Sequence, residues 1–452
     1  MASLNMTHGL EPGAPASWHS CSARWAVALA LLGLVERLAL WGGYQPVSYG
    51  DTPTYLRLAE ALSGWTLSGY DGTRVPAYPG FLLLLGKDLH TIWLAQMALG
   101  LAISLLLFGM VYQTTRNPRL AFVVGLLYDL IPGQFLFEAN ILSETLTTFF
   151  LIFSLAVLAW FPSGRKWGQP WMALLLGVVS GIAGLVRTLF FLLPPWLLPF
   201  VGLQARGRWT RRAGVLLLFS VGPVLLLGGW VRFIFNSYGM LSPSTMGGYH
   251  MVQHTGVFFE LLPDEAAPIR DTYLKYRDAQ IAARGDQTNA IWDAIPELTE
   301  VSGLSFLDLS REMQRLSWIL IREHPGLYLR NVLEGWVDFW KAPVYWRPEL
   351  IRWEALRPVF AVWGLLGRGL SLAANAGFLA ATVLWIASRS VRRRFVLDLH
   401  LLAAAGLVWA SSVVQAIVDH GDNPRFLVPL QMVVVYVIVR AAWSWYLTRK
   451  VR

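Results

Sequence analysis

Ten runs of mostly apolar residues, each near the length of a membrane crossing, recur along the chain. They lie near 24–43, 91–112, 119–133, 141–161, 170–186, 188–203, 213–234, 358–386, 398–418 and 427–447. A hydrocarbon core about 30 Å thick takes roughly 20 helical residues to cross. Within it only a helix or a closed barrel satisfies its own backbone. The pattern predicts an all-α polytopic membrane protein with about ten transmembrane helices. The runs at 119–133, 170–186 and 188–203 are the shortest. Residues 1–22 are polar without a basic start, and the run after them is too long for a secretory h-region, so it reads as a retained anchor.

The loops between the runs carry a charge asymmetry. "TTRNPR", "SGRKWGQ", "QARGRWTRR", "SRSVRRRF" and the tail "TRKVR" are basic, and all fall on one side if each run crosses once. By the positive-inside rule that side is the cytoplasm, and the N-terminus joins it. The opposite side receives a first loop (44–90), turns near 134–140, 187 and 419–426, and a long segment (235–357). The chain thus divides into an N-terminal membrane module (1–234) whose outer loop 44–90 carries the candidate chemistry, an extracytoplasmic unit (235–357) and C-terminal membrane helices (358–452). Within 235–357, "SFLDLSREMQRLSWILIREHPG" opens with Ser305 and Asp308 in capping-box spacing. Leu307, Met313, Leu316, Ile319 and Leu320 follow near helical spacing, and Pro325 closes the run. "DEAAPIRDTYLKYRDAQIAAR" reads as a charged surface helix. The expectation is a small, mainly helical cap without a nucleophile elbow, metal cluster or Gly-rich phosphate loop.

Composition agrees. Hydrophobic residues make up 55%, charged residues 14%, and mean hydropathy is +0.47. A lone cysteine, Cys21, excludes an internal disulfide. The net charge of +9 is split among short loops, so it speaks for topology and against nucleic acid.

Charged residues at the outer ends of the apolar runs are the candidate chemistry. In "SYGDTPTYLRLAEALSGW", Asp51 precedes Pro53, and Tyr55, Leu58, Ala59 and Leu62 share a face, as in an N-cap opening a short surface helix. A fixed carboxylate there also suits a general base. "DGTRVPAYPGF" adds Arg74, which could snorkel or grip a phosphate, and Tyr78. "EANILSETLTTFF" places Glu138, Asn140, Ser143 and Glu144 at the start of the fourth run, where a cap and a helix dipole explain Ser143 and Glu144 equally well. Arg187 stands between two short runs, a costly position unless it reaches an interface or a polar cavity. "VDHGDNPRFLVPL" contributes Asp419, His420, Asp422 and Arg425, readable also as a turn. Carboxylates and arginines from four loops on one face suggest a site for an anionic, phosphorylated substrate at the membrane boundary.

The order of these motifs resembles a known family. "GDTPTY", "RVPAYPGF", "LSETL", "GIAGLVRTLFFLLP", "GGWVRFIFNSYGMLSPSTMGG", "REHPGLYLRN" and "NPRFLVPL" look like the integral-membrane glycosyltransferases of the GT-C class, nearest to the bacterial dolichyl-phosphate-mannose–protein mannosyltransferase and aminoarabinose transferase-like family. The resemblance runs from about 24 to 440. It implies transfer of a sugar, by inversion, from a polyprenyl-phosphate donor to an acceptor glycan, lipid or protein on the outer face of the plasma membrane. Asp51 would be the catalytic base, with Arg74 and Arg425 on the donor phosphate. Tyr55, Tyr78, Glu144, Arg187, His420 and Asp422 would support the site. Many members begin the outer loop Asp-Glu; here Thr52 follows Asp51, which leaves open whether a divalent metal is used. Two rival classes are a transporter or flippase of lipid-linked saccharides and an envelope scaffold. Transporters place binding groups near the midplane on broken helices, whereas these charges sit at outer ends. A scaffold leaves the Asp51–Arg74–Arg425 set unexplained.

Overall fold

A computed structural model of the chain describes residues 16–161, 168–394, 397–421 and 423–450. Among them the chain is helical, with one isolated bridge, Val47–Asn140, and no strand. The helices are α1 (Ala16–Gly43), α2 (Thr52–Ala61), α3 (Ala77–Leu84), α4 (Leu89–Thr115), α5 (Pro118–Leu130), α6 (Pro132–Phe135), α7 (Glu144–Trp160), α8 (Gly168–Val186) and α9 (Leu193–Gln204). Next come α10 (Trp209–Pro223), α11 (Gly229–Tyr238), α12 (Gly247–Thr255), α13 (Ala267–Arg284), α14 (Ala290–Ser302), α15 (Phe306–Glu323) and α16 (Pro325–Phe339). The last are α17 (Arg357–Ala387), α18 (Arg389–Arg394), α19 (Leu399–Val418), α20 (Asn423–Leu427) and α21 (Gln431–Lys450).

All ten apolar runs are helical. Seven are long and apolar enough to cross a membrane alone: those at Ser22–Gly43, Leu89–Thr115, Gly168–Val186, Trp209–Tyr238, Glu354–Ala387, Leu399–Val418 and Asn423–Leu447. Glu144–Trp160 and Thr188–Gln204 are shorter apolar helices. The third run is not one rod. α5 stops before Pro132, and Pro132–Ala139 leaves it at 64°. The residue before a proline is disfavoured in helical geometry, and Ile131 is extended at that point. α8 and α10 pack closely through glycines set against backbone, Gly177 of α8 against Phe219 and Gly222 of α10 against Val178. A Cβ on Gly177 would stand 1.9 Å from the Phe219 carbonyl oxygen. Small residues at such crossings let backbones approach without a hydrophobic driving force.

The cap, α12 to α15, has its own core of Tyr249, Phe259, Tyr273, Leu298, Leu309, Met313, Leu316 and Leu320. α15 begins as its sequence requires, with the Ser305 hydroxyl accepting from the Asp308 amide at 3.2 Å and donating to the Asp308 carboxylate at 2.7 Å. α2 turns Tyr55, Leu58, Ala59 and Leu62 inward, all buried.

Glu138, expected among the outer-end charges, belongs instead to a separate buried network. Arg37, within α1, donates to Asp129 at 2.9 Å and to Glu138 at 3.0 and 2.6 Å. The Ser104 hydroxyl donates to Asp129 at 2.9 Å. Buried ion pairs gain little net energy, but losing one partner strands the others. Here the network ties α1 and α4 to the break after α5.

Candidate active site

Residues 139–141 and the loop 44–90 are stitched together. The Val47 amide donates to Ala139 at 2.8 Å and the Ile141 amide donates back to Val47 at 2.9 Å. Thr52 continues the seam: its hydroxyl accepts from the Tyr49 amide at 3.0 Å and donates to the Ile141 carbonyl at 2.9 Å. Thr52, the residue standing where the family pattern has a second carboxylate, is therefore a structural joint here.

Asp51 occupies the N-cap position of α2 but makes no capping hydrogen bond. That corrects the capping expectation: both oxygens are taken by arginines. Arg74 Nη2 donates to Oδ1 at 2.8 Å, and Arg425 Nη1 donates to Oδ2 at 2.6 Å. Arg425 Nε donates onward to Glu144 Oε1, which also accepts from Arg187 Nη1. The Arg187 guanidinium lies over the Phe426 ring, 4.0 Å from its centroid. Glu144 stands in the first turn of α7 as expected, but Ser143, at the N-cap position, does not cap it. The Ser143 side chain makes no cap bond and receives only a long one, 3.4 Å, from the Tyr55 hydroxyl.

The result is a continuous chain, Arg74–Asp51–Arg425–Glu144–Arg187, brought together from four separate stretches. Three guanidiniums meet two carboxylates, so the cluster carries an excess positive charge. It is sealed at one end and open at the other. Glu144 is 0% and Arg187 10% exposed, whereas Asp51 is 25% and Arg74 24% exposed. Arg74 Nε and Glu144 Oε2 are buried without partners, and Arg74 Nη1 meets only the Met246 sulfur at 3.6 Å. Burial opposes ionisation of Asp51, but Arg74 and Arg425 outweigh it and hold the carboxyl well below the usual carboxylate range.

Tyr55 and Tyr78 back the cluster, edge to face at 4.8 Å. The Tyr78 hydroxyl donates to Gln96 at 3.1 Å, and Gln96 donates to the carbonyls of Glu138 and Asn140 at 2.8 Å each. Gln96 escaped the sequence reading because a lone amide inside an apolar run gives no periodic signal.

His420 stands outside the cluster. Its Nδ1 pairs with Asn331 at 3.1 Å, and its ring stacks on His254. Asp419 pairs with His250 at 3.1 Å. Asp422 lies outside the described residues. Among the described residues no group of three or more His, Cys, Asp or Glu side chains is placed to hold a metal ion. Asp51 and Glu144, the two carboxylates on hand, are each committed to two arginines in a net positive setting. Among the described residues that donor set does not fit a divalent cation.

No family model and no curated protein matches this chain. Two solved structures are similar to it. The apo oligosaccharyltransferase of Archaeoglobus fulgidus aligns with 92% of this chain and 50% of its own, at 13% identity and a TM-score of 0.47. ArnT from Cupriavidus metallidurans, bound to undecaprenyl phosphate, aligns with 97% of this chain and 79% of its own, at 15% identity and a TM-score of 0.32. This chain spans about half the length of the oligosaccharyltransferase.

Proposed function

We propose that the chain is a membrane glycosyltransferase that moves a sugar from a polyprenyl-phosphate donor to an acceptor outside the cytoplasm, with inversion at the anomeric carbon. The supporting observation is the open end of the arginine–carboxylate cluster, where Asp51 stands between Arg74 and Arg425. A phosphate entering there meets two guanidiniums with planar donor forks matched to its oxygens. Arg74 Nη1, which meets only the Met246 sulfur, is left to donate to it. Those arginines then stabilise the departing lipid phosphate as it gains charge.

The same geometry couples donor binding to the base. Pinned between two cations, Asp51 holds protons weakly and is a poor base. When the phosphate takes over donors on Arg74 and Arg425, the stabilisation of the free carboxylate falls and its proton affinity rises. Asp51 then accepts the proton of an acceptor hydroxyl or amine as that group attacks the anomeric carbon. The new glycosidic bond forms, the sugar–phosphate oxygen bond breaks, and its electron pair leaves on the lipid phosphate. Glu144 and Arg187 stay behind as the buried half that orients Arg425.

Incubating the purified protein with radiolabelled polyprenyl-phosphate sugars and an envelope extract tests this. Label should leave the lipid in wild type and stay on it in Asp51→Asn. The broken span at Pro132 is the one feature that favours a flippase; lipid-linked label crossing a vesicle bilayer without leaving its lipid would favour that reading instead.

Sidedness has its own test. The basic loops and both termini should be cytoplasmic, and the cap outside. A cysteine at Gln280, on α13 of the cap, in a Cys21→Ser background, should react with an impermeant maleimide added to intact cells. Reaction only after the cytoplasmic face is opened would overturn the orientation.

A further inference from the structure

The two arginines that grip Asp51 sit on chain segments about 350 residues apart, yet one short helix of the cap touches the mounting of each. In the short segment that leads directly into α12, Thr245 donates from its amide to Gly72 at 3.1 Å and from its hydroxyl to Asp71 at 3.2 Å. The Ser244 hydroxyl donates to the Thr73 carbonyl at 3.1 Å, and the Met246 sulfur meets Arg74 itself. The loop carrying Arg74 is thereby clasped on both sides of its tight turn at Gly72, whose φ is +70°.

One to two turns further along α12, His250 Nδ1 pairs with Asp419 Oδ2 at 3.1 Å, while Asp419 Oδ1 accepts from the Gly421 amide at 2.9 Å. The His254 carbonyl accepts from Asn331 at 2.9 Å, and Asn331 holds His420. Asn423 then donates to the Gly335 carbonyl at 3.0 Å. These contacts hold the end of α19 and the start of α20, the helix that carries Arg425. α12 itself has no freedom to slide: a Cβ on Gly248 would lie 1.7 Å from the Ser310 carbonyl oxygen of α15.

We propose that α12 is a splint that sets the separation of Arg74 and Arg425 about Asp51, with His250 and Asp419 as positioning residues for Arg425. A nine-residue helix is about 13 Å long and rigid, so it transmits the placement of one segment to the other. This gives the cap a role in the site though it contributes no group to it. The consequence for donor affinity rests on the glycosyltransferase reading; the geometry does not.

The test has two arms in full-length protein. In the first, nitroxide labels at Ser68→Cys and Val418→Cys, in a Cys21→Ser background, report the distance between the two segments. A single narrow distribution is expected, and it should at least double in width in Asp419→Ala and His250→Ala. Asp419→Asn keeps an acceptor for His250 and should restore most of the narrow distribution. An unchanged distribution in both alanine variants would overturn the splint whatever the activity.

In the second arm, the same alanine variants should raise the apparent KM for a labelled polyprenyl-phosphate sugar about 10-fold or more, with a smaller change in kcat, as expected of misplacement. In an Arg425→Lys background the effect of Asp419→Ala should largely vanish, because both changes act on one contact. Fully additive effects would mean general destabilisation and would overturn the positioning role. Broadened distances in a protein that uses none of the donors would support the splint and refute the glycosyltransferase reading.

Discussion

Asp51→Asn is expected to cut sugar transfer by the proposed glycosyltransferase about 100-fold or more, the usual size of a general-base contribution, while tightening the binding of a polyprenyl phosphate. The two effects run in opposite directions for one reason. The Asp51 carboxylate competes with a phosphate for Arg74 and Arg425; an amide competes weakly, yet it cannot take the acceptor's proton. Since Asp51 makes no capping bond, helix α2 should be unaffected. The variant should still lose some stability, because charge-assisted hydrogen bonds contribute about 1.5–3 kcal/mol each. That loss has a pH signature. A carboxyl whose pKa is lowered by folding stabilises the fold above its unfolded value and stops doing so as pH falls through the folded value. The stability gap between wild type and Asp51→Asn should therefore be full at neutral pH and shrink only below about pH 4, the range of an unfolded Asp. Transfer rate, lipid affinity and thermal midpoint in one detergent decide the matter. Full transfer by the Asn variant would remove Asp51 from the chemistry, and weaker lipid binding would contradict the competition.

The visible part of this site was visible because ionisable side chains are expensive beside hydrocarbon. Glu144, Arg187 and Arg425 stand at the ends of apolar runs, where a charge without a purpose is rare, Asp51 and Arg74 stand in the loop 44–90 between two such runs, and the five form one network. Hydropathy found the ten helical runs for the complementary reason, that a spanning segment has almost no alternative to being helical and apolar. What failed were inferences from neighbours in sequence. Asp51 before Pro53 has the look of a cap, but the cap position says nothing about arginines 23 and 374 residues away. His420 is close to Arg425 in sequence, yet the turn between them sends it to Asn331. Arg37 hid inside an apolar run, and its partners Asp129 and Glu138 are 92 and 101 residues distant. The break at Pro132 that brings Glu138 to Arg37 is a local backbone event, and hydropathy averages over it. Long-range pairing of single charges leaves no periodic trace.

Glu144→Gln should be the most damaging single change to the buried half of the site. Glu144 is fully buried and accepts from both Arg187 and Arg425. Removing its charge leaves two guanidiniums without a counter-ion in a shielded place, and breaking such a group costs about 3–5 kcal/mol. A glutamine cannot repair this. Its carbonyl oxygen is a weaker acceptor, and its NH2 falls where Oε2 now has no partner. Little folded protein should be recovered from membranes. The informative comparison is the double variant Glu144→Gln with Arg187→Met, which removes a cation together with the anion that neutralised it. Folding should return, since replacing a buried pair by apolar volume is often neutral. Arg187 does not touch Asp51; Arg425 does, and its Nε lost its anchor when Glu144 went. The refolded double variant should consequently show wild-type thermal stability with an apparent donor affinity well below wild type. Wild-type affinity would mean that Glu144 only neutralises charge, and a stable, fully active single Glu144→Gln variant would remove it from the site altogether.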